Sequence, residues 1–318
     1  MRAVIHERYG PPDLLRLTDV EVPVPGRGQV LVEVVATSLN LSDWETLVGR
    51  PAYARVGGLR RPARPVLGSD IAGRVVSVGP GVTRFAVGDE VYGDNLRMKG
   101  GFAELAVAPE SVLAAKPPEL SFVEASTLPQ AGAIALQGVA GAGPRSRVCV
   151  NGAGGGSGSF AVQLAKAAGA HVTGVDNAGK LDFIRSLGAD EAVDHRTTDY
   201  TRLEPFDLVL DLVAHRSVAA YRRALAPGGR YRCVGGSVPT LLRLLTAGTL
   251  VGLVSGRRIG VLAVKPGPEH FGPLARRCAD GAVTISVDRV VALAEVPQAL
   301  ARVGEGRALG KVVVEVGR

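Results

Sequence analysis

Val148-Cys149-Val150-Asn151-Gly152-Ala153-Gly154-Gly155-Gly156-Ser157-Gly158-Ser159-Phe160 is the stretch that decides the fold. A short apolar strand runs into a cluster of glycines, and the glycines open a helix that continues to about Ala168. Glycine permits a tight turn and close approach of a bound group to the backbone, while the unpaired N–H groups of a helix start attract an anion such as a pyrophosphate. Gly152, Ala153, Gly155, Gly156, Ser157 and Gly158 are therefore expected to line a dinucleotide. Asp176 ends the next strand, eighteen positions past Gly158, where a carboxylate binds ribose hydroxyls. A carboxylate there favours a free 2′-hydroxyl over a 2′-phosphate, so the turn is expected to prefer NADH to NADPH. Lys180 and Arg196 are close enough in sequence to accept a phosphate instead.

Downstream, strands alternate with helical stretches. His171 to Val175, Ala192-Val193, Asp207 to Val213 and Tyr231 to Val234 read as strands, and Lys180 to Leu187 and Ser217 to Leu225 as helices, with Pro227-Gly228-Gly229 as a turn. Such alternation with short connections implies an α/β domain, a doubly wound parallel sheet with covered faces. Upstream, residues 1–118 show short alternating apolar segments such as Val30-Leu31-Val32-Glu33-Val34-Val35, punctuated by Gly and Pro, which is an all-β pattern. Pro117-Pro118 marks the change, and Ser121-Phe122-Val123-Glu124 has the spacing of a capping box. From about 266 the tail predicts a helix ending near Gly281, a strand at Thr284 to Val287, a helix at Pro297 to Val303 and a strand at Lys311 to Val316. Its Gly-punctuated strands resemble the first half, so residues 1–118 plus 266–318 form one expected domain and 119–265 the other.

With aromatics at only 4% of the chain, aliphatic packing must dominate both cores. The net charge of +7 comes from scattered arginines rather than one basic stripe, which argues against a nucleic-acid partner. Thr240 to Ser255 is apolar but is interrupted by Arg243, Gly248 and Gly252, so no membrane span is expected. The N-terminus lacks a secretory pattern, and a cytoplasmic location is the expectation. Cys149, Cys233 and Cys278 are far apart and read as reduced thiols.

The glycine stretch, with Leu187-Gly188-Ala189-Asp190, Phe206-Asp207-Leu208-Val209-Leu210-Asp211, Leu39-Asn40-Leu41-Ser42-Asp43-Trp44, Leu67-Gly68-Ser69-Asp70-Ile71-Ala72-Gly73, Val87-Gly88-Asp89-Glu90-Val91 and Leu309-Gly310-Lys311-Val312-Val313, resembles the zinc-independent quinone oxidoreductase branch of the medium-chain dehydrogenase/reductase superfamily. The resemblance implies a GroES-like β-rich catalytic domain built from both termini, a Rossmann domain between, and a cleft joining them where nicotinamide and substrate meet. It adds Val213, Gly235, Gly236, Leu262 and Lys311 to the cofactor residues, and implies a homodimer. It also puts Asn40 beside nicotinamide and substrate, with Asp43 and Trp44 shaping the pocket. Tyr53 or solvent is the proton donor.

Catalytic zinc needs three Cys, His or carboxylate ligands and an open position. Zinc alcohol dehydrogenases of the superfamily carry Cys where this chain has Asn40, and Gly-His-Glu where it has Gly68-Ser69-Asp70. Without that Lewis acid, alcohol oxidation is disfavoured. Hydride addition from NAD(P)H to a quinone or to the activated C=C of an α,β-unsaturated carbonyl remains, as in a tailoring enoyl reductase. The competing readings are a weakly catalytic dinucleotide-binding protein with an RNA or protein partner, and an alcohol dehydrogenase.

Overall fold

The computed structural model describes residues 1–56 and 58–317. It opens with β1 (Arg2–Ile5) and β2 (Arg16–Asp19), an antiparallel ribbon. Then come β3 (Gln29–Ser38), α1 (Leu41–Val48), β4 (Asp70–Val78), β5 (Glu90–Asp94), β6 (Leu105–Pro109), β7 (Leu113–Ala115), α2 (Phe122–Ser126) and α3 (Pro129–Gly138). The middle of the chain runs β8 (Arg147–Asn151), α4 (Gly156–Ala167), β9 (His171–Asp176), α5 (Leu181–Ser186), β10 (Glu191–Asp194), β11 (Phe206–Asp211), α6 (Val218–Ala224) and β12 (Leu225–Cys233). After α7 (Val238–Arg243), α8 (Thr249–Ser255) and β13 (Arg258–Val261), the tail supplies α9 (Pro268–Ala279), β14 (Val287–Ala292), α10 (Val296–Gly304) and β15 (Lys311–Glu315).

Two compact units result, Met1–Ala133 with Lys265–Arg318, and Ile134–Val264. In the first, a seven-stranded sheet has the order β14-β15-β3-β4-β5-β7, with β6 also paired to β3. Strand β15 pairs antiparallel with β3, so the C-terminus completes a sheet that the N-terminal residues begin. Alternate residues of β3, Val30, Val32 and Val34, turn inward against Ile71, Val75, Val91 and Val312, giving the aliphatic core that the scarcity of aromatics requires. The division falls at Ala133 rather than at Pro118 because α2, held by its Ser121/Glu124 capping box, packs on β3 and β4 and keeps the following residues with the first unit.

The second unit is a six-stranded parallel sheet of order β10-β9-β8-β11-β12-β13. Numbered within the unit this is 3-2-1-4-5-6, and the order reverses beside the first strand, β8, whose carboxyl end carries the glycine turn. Open parallel sheets bind ligands at such a reversal.

Three expectations need correction. The strand expected at Thr284 to Val287 begins only at Val287 and runs to Ala292, because the residues that pair with β15 are Val287 and Arg289 to Ala292. The turn expected at Pro227-Gly228-Gly229 is a bulge inside β12: Leu225 pairs with Phe206 and Arg230 with Leu208, with Gly228 at φ 77°. The glycines of the apolar stretch around Thr240 to Ser255 do not break it: α7 and α8 are joined by a π-helical turn at Leu244–Gly248, and Val238–Ser255 is helical throughout, long and apolar enough to cross a bilayer by length and composition. The two glycines seat it instead of breaking it, since Gly248 faces Ile259 and a Cβ on Gly252 would lie 2.9 Å from the Arg257 carbonyl oxygen. Leu242, Leu245, Leu250, Leu253 and Val254 face outward and are exposed.

Candidate active site

The glycine turn lies between β8 and α4. Gly152 takes φ 88°, and the first intrahelical bond of α4 is Ser159 N–H to the Gly155 carbonyl at 2.9 Å. The N–H groups of Gly156, Ser157 and Gly158 therefore precede the helix's own bonding and are left for an outside acceptor. A Cβ on Gly158 would sit 2.1 Å from the Gly152 carbonyl oxygen, so only glycine lets the helix start this close to the turn. A Cβ on Gly155 would meet nothing nearer than 3.5 Å, and that space is where a pyrophosphate would approach. The turn thus fits a dinucleotide.

Asp176 is where the sequence places it, but it is already engaged. Its Oδ2 accepts from Gly154 N–H at 3.0 Å, its Oδ1 accepts from the Asn177 backbone and side chain at 2.9 and 3.0 Å, and the Lys180 ammonium lies 3.7 Å away. Lys180 is itself buried. The ammonium neutralises the carboxylate on which an NADH preference depends.

Val213 follows β11 beside Gly152, and Gly235 and Gly236 follow β12 with φ 74° and 107°. Leu262 follows β13 and donates its N–H to Cys233 O at 2.8 Å. All three segments leave carboxyl ends of the parallel sheet. Holding the first of them is Asp211, which sequence reasoning did not single out. Fully buried at the end of β11, it accepts from Asn151 Nδ2 (2.8 Å), Val213 N (3.0 Å), Ala214 N (2.8 Å), Tyr200 OH (3.1 Å) and Tyr231 OH (2.7 Å). One carboxylate thereby clamps the residue before the glycine turn to the loop after β11. Burial, and then the Asp211 charge, push both phenols up, so they stay protonated donors. The visible signal was a carboxylate closing the apolar run Leu208 to Leu210.

The first unit holds a second polar constellation, centred on Asn40. This residue starts α1, and its backbone N–H donates to Asp43 Oδ2 at 3.1 Å. Its side chain donates to Asp70 Oδ2 at 2.8 Å and to Ser69 Oγ at 3.2 Å, while Oδ1 accepts from Lys311 Nζ at 2.7 Å. Asp43 is fully buried and pairs with Lys99 at 2.9 Å. Removing one partner of such a pair costs about 3–5 kcal/mol. Lys311, expected among the cofactor residues, joins this constellation: it is buried, bonded to Asn40, and 3.4 Å from both Leu39 O and Asp70 Oδ2. Burial pushes its pKa down and Asp70 opposes the shift.

Trp44, expected in the substrate pocket, makes the contacts of a packing residue. Its ring lies over Gly304 of α10, where a Cβ would clash with it, and packs on the first unit's core. Tyr53 sits in the turn Ala52–Arg55 and is 36% exposed.

Residues 26–118 match the model of the alcohol dehydrogenase GroES-like domain, and residues 187–314 that of the zinc-binding dehydrogenases. A chloroplastic quinone oxidoreductase of Triphysaria versicolor is 32% identical over 99% of this chain and 98% of its own length. The chain belongs to the quinone oxidoreductase-like branch of the medium-chain dehydrogenase/reductase superfamily. A 2-methylene-furan-3-one reductase of Solanum lycopersicum is 33% identical over 99% of this chain and 79% of its own. The solved quinone oxidoreductase of Coxiella burnetii superposes with a TM-score of 0.89 at 28% identity, covering 99% of both chains.

A medium-chain reductase of this branch takes a nicotinamide cofactor and a small-molecule substrate, and the glycine turn fits that cofactor. Zinc does not fit in the same way. Among the described residues no three His, Cys, Asp or Glu side chains come together as a metal site. At Asn40 and Asp70 a cation is already supplied by the protein, as the Lys311 ammonium.

Proposed function

We propose that this chain is an NAD(P)H-dependent reductase of quinones or of the activated C=C bond of α,β-unsaturated carbonyls, working without zinc. The observation that carries the reading is the glycine turn, with a position that admits no side chain and three helix-start N–H groups free for a pyrophosphate. The acceptor class is supported by the relatives named above, and the zinc-free chemistry by the ammonium that Asn40 and Asp70 already hold.

When bound, NAD(P)H supplies the hydride. The protein's share is to hold and orient. Gly156, Ser157 and Gly158 bind the pyrophosphate, and Asp176, neutralised by Lys180, favours NADH only modestly. Asn40 is the residue we assign to the acceptor oxygen. Its longer bond, 3.2 Å to Ser69, is the one that gives way to that oxygen as negative charge develops there, while Lys311 and Asp70 keep the amide in register. Solvent delivers the closing proton.

A homodimer is supported by β13, an edge strand of the parallel sheet, lying next to the exposed Leu250, Leu253 and Val254. Unpaired edges flanked by apolar surface are templates for a second copy. Sedimentation velocity is expected to give a mass of two chains.

The deciding experiment follows NADH and NADPH oxidation by metal-stripped protein with a small quinone and, separately, a conjugated enone. Turnover with either acceptor, undiminished by chelator and lost in Asn40→Ala while NADH binding persists, is the expected result. Turnover that returns only with added zinc refutes the reading.

A further inference from the structure

Asp70 on β4 and Asp94 on β5 are direct partners across an antiparallel ladder, and both are buried. Like charges opposed in this way destabilise a sheet, and two buried carboxyls at such a place do not both ionise readily. Their surroundings decide which one keeps a proton. Asp70 is saturated with donors: Ser38 Oγ at 3.0 Å, Asn40 Nδ2 at 2.8 Å, the Gln130 backbone N–H at 3.0 Å and the Lys311 ammonium at 3.4 Å. Asp94 has the Gln130 side chain on one side, and its Oδ1 is buried without any hydrogen-bond partner.

The charge balance points the same way. The groups around Asp94 are Asp70 from β4, Asp43 from α1, Lys99 from the segment after β5, Gln130 from α3 and Lys311 from β15. Asp43 is matched by Lys99 and Asp70 by Lys311. A charge on Asp94 is the one left over. Burial and the facing Asp70 push its carboxyl up to about 7; burial pushes Asp70 up as well, but Lys311, Asn40, Gln130 and Ser38 all oppose that shift by favouring its ionised form.

We propose that Asp94 is a positioning residue of the reductase, whose un-ionised form leaves the Lys311 ammonium on Asn40 and Asp70 and whose ionisation draws that ammonium away and slows turnover. The inference rests on the reading that Asn40 orients the acceptor. Asp94 touches no reacting atom. It acts through Lys311, the donor to Asn40 Oδ1.

The test is kcat against pH at saturating cofactor and quinone, with infrared difference spectra of the same enzyme. For a single group titrating near 7, kcat in the wild type falls about tenfold between about pH 6 and about pH 8. KM for NADH stays level. Asp94→Asn keeps the low-pH rate across the range, and Asp94→Glu restores the fall. Glu45, the other carboxyl that burial raises to about 7, is removed from the spectrum by working in a Glu45→Gln background. There the neutral carboxyl band present at low pH disappears with the same midpoint as kcat and is missing once Asp94→Asn is added. If Asp94→Asn does not fold, coincidence of the infrared and kcat midpoints in Glu45→Gln still carries the test. A wild-type profile that Asp94→Asn reproduces, a folded Asp94→Asn that is inactive at every pH, or a Glu45→Gln protein without the band overturns the proposal. Absence of turnover at every pH, with the band present, overturns the reductase reading and with it the positioning role, while leaving the proton on Asp94.

Discussion

Two alanine substitutions three residues apart in one turn should behave differently. At Gly158 the added Cβ meets Gly152 O at 2.1 Å and the Ala153 backbone at 2.7 and 2.8 Å. These are main-chain atoms that cannot swing aside, so the start of α4 must move away from the turn. Overpacking of this kind costs about 1–3 kcal/mol, and the displaced N–H groups lose their aim at the pyrophosphate. At Gly155, φ is −88° and ψ −179°, which alanine adopts freely, and the nearest atom is 3.5 Å away. Gly155→Ala should therefore unfold like the wild type while its methyl group occupies the approach of the ligand. The expected outcome is a melting temperature lowered by several degrees in Gly158→Ala and unchanged in Gly155→Ala, read by circular dichroism. In both, the NADH dissociation constant, from fluorescence titration without acceptor, should rise at least about tenfold, equivalent to about 1.4 kcal/mol. A Gly158→Ala protein with wild-type melting and affinity would refute the steric argument. Wild-type affinity in Gly155→Ala would refute the placement of the pyrophosphate.

Asp211→Ala strands two phenols, an amide and two backbone N–H groups, so unfolding in urea should show a loss of at least about 3 kcal/mol, more than any other single change near the turn. Lys180→Ala leaves Asp176 without its ammonium 3.7 Å away, and kcat/KM for NADPH should fall several-fold more than that for NADH. Burial raises the Glu45 carboxyl to about 7 against the opposing pull of Lys99. The folded state then holds a proton that the unfolded chain releases near its ordinary value, so stability declines as pH rises from about 4.5 to about 7 and levels off above. Glu45→Gln should flatten part of that decline in thermal melts, and an unchanged slope would count against it.

The parallel sheet was legible because its signals are local: β8, the glycines and α4 adjoin one another, and Asp176 ends the very next strand. The Asn40 constellation was only half legible. Asn40 and Asp43 sit three residues apart, but Asp70, Asp94, Lys99 and Lys311 reach them through strand pairing across most of the chain, and no periodicity records that. The bond from the Lys311 ammonium to Asn40 joins residues at opposite ends of the sequence. Trp44 shows a different limit. A ring next to a functional motif looks like a pocket wall until Gly304, 260 residues later, provides the flat surface on which it rests. The uninterrupted helix over Val238–Ser255 was missed because glycine reads as a breaker in sequence, whereas here it marks close packing.

The strand β15 gives this protein an order of assembly. As the chain leaves the ribosome, β3 finds β4 and β6 soon after it is made, but the end of β3 from Ala36 to Ser38 waits for Val313 to Glu315, made long after it. Until then Asn40 and Asp70 lack their lysine, and a buried carboxylate without its cation holds the sheet open. The intervening parallel-sheet unit needs no such wait, because all of its strands are made consecutively. The inserted unit should therefore mature first on a stalled ribosome, and truncation of only the final strand should leave the nascent chain able to retain the dinucleotide while its N-terminal sheet stays sensitive to protease.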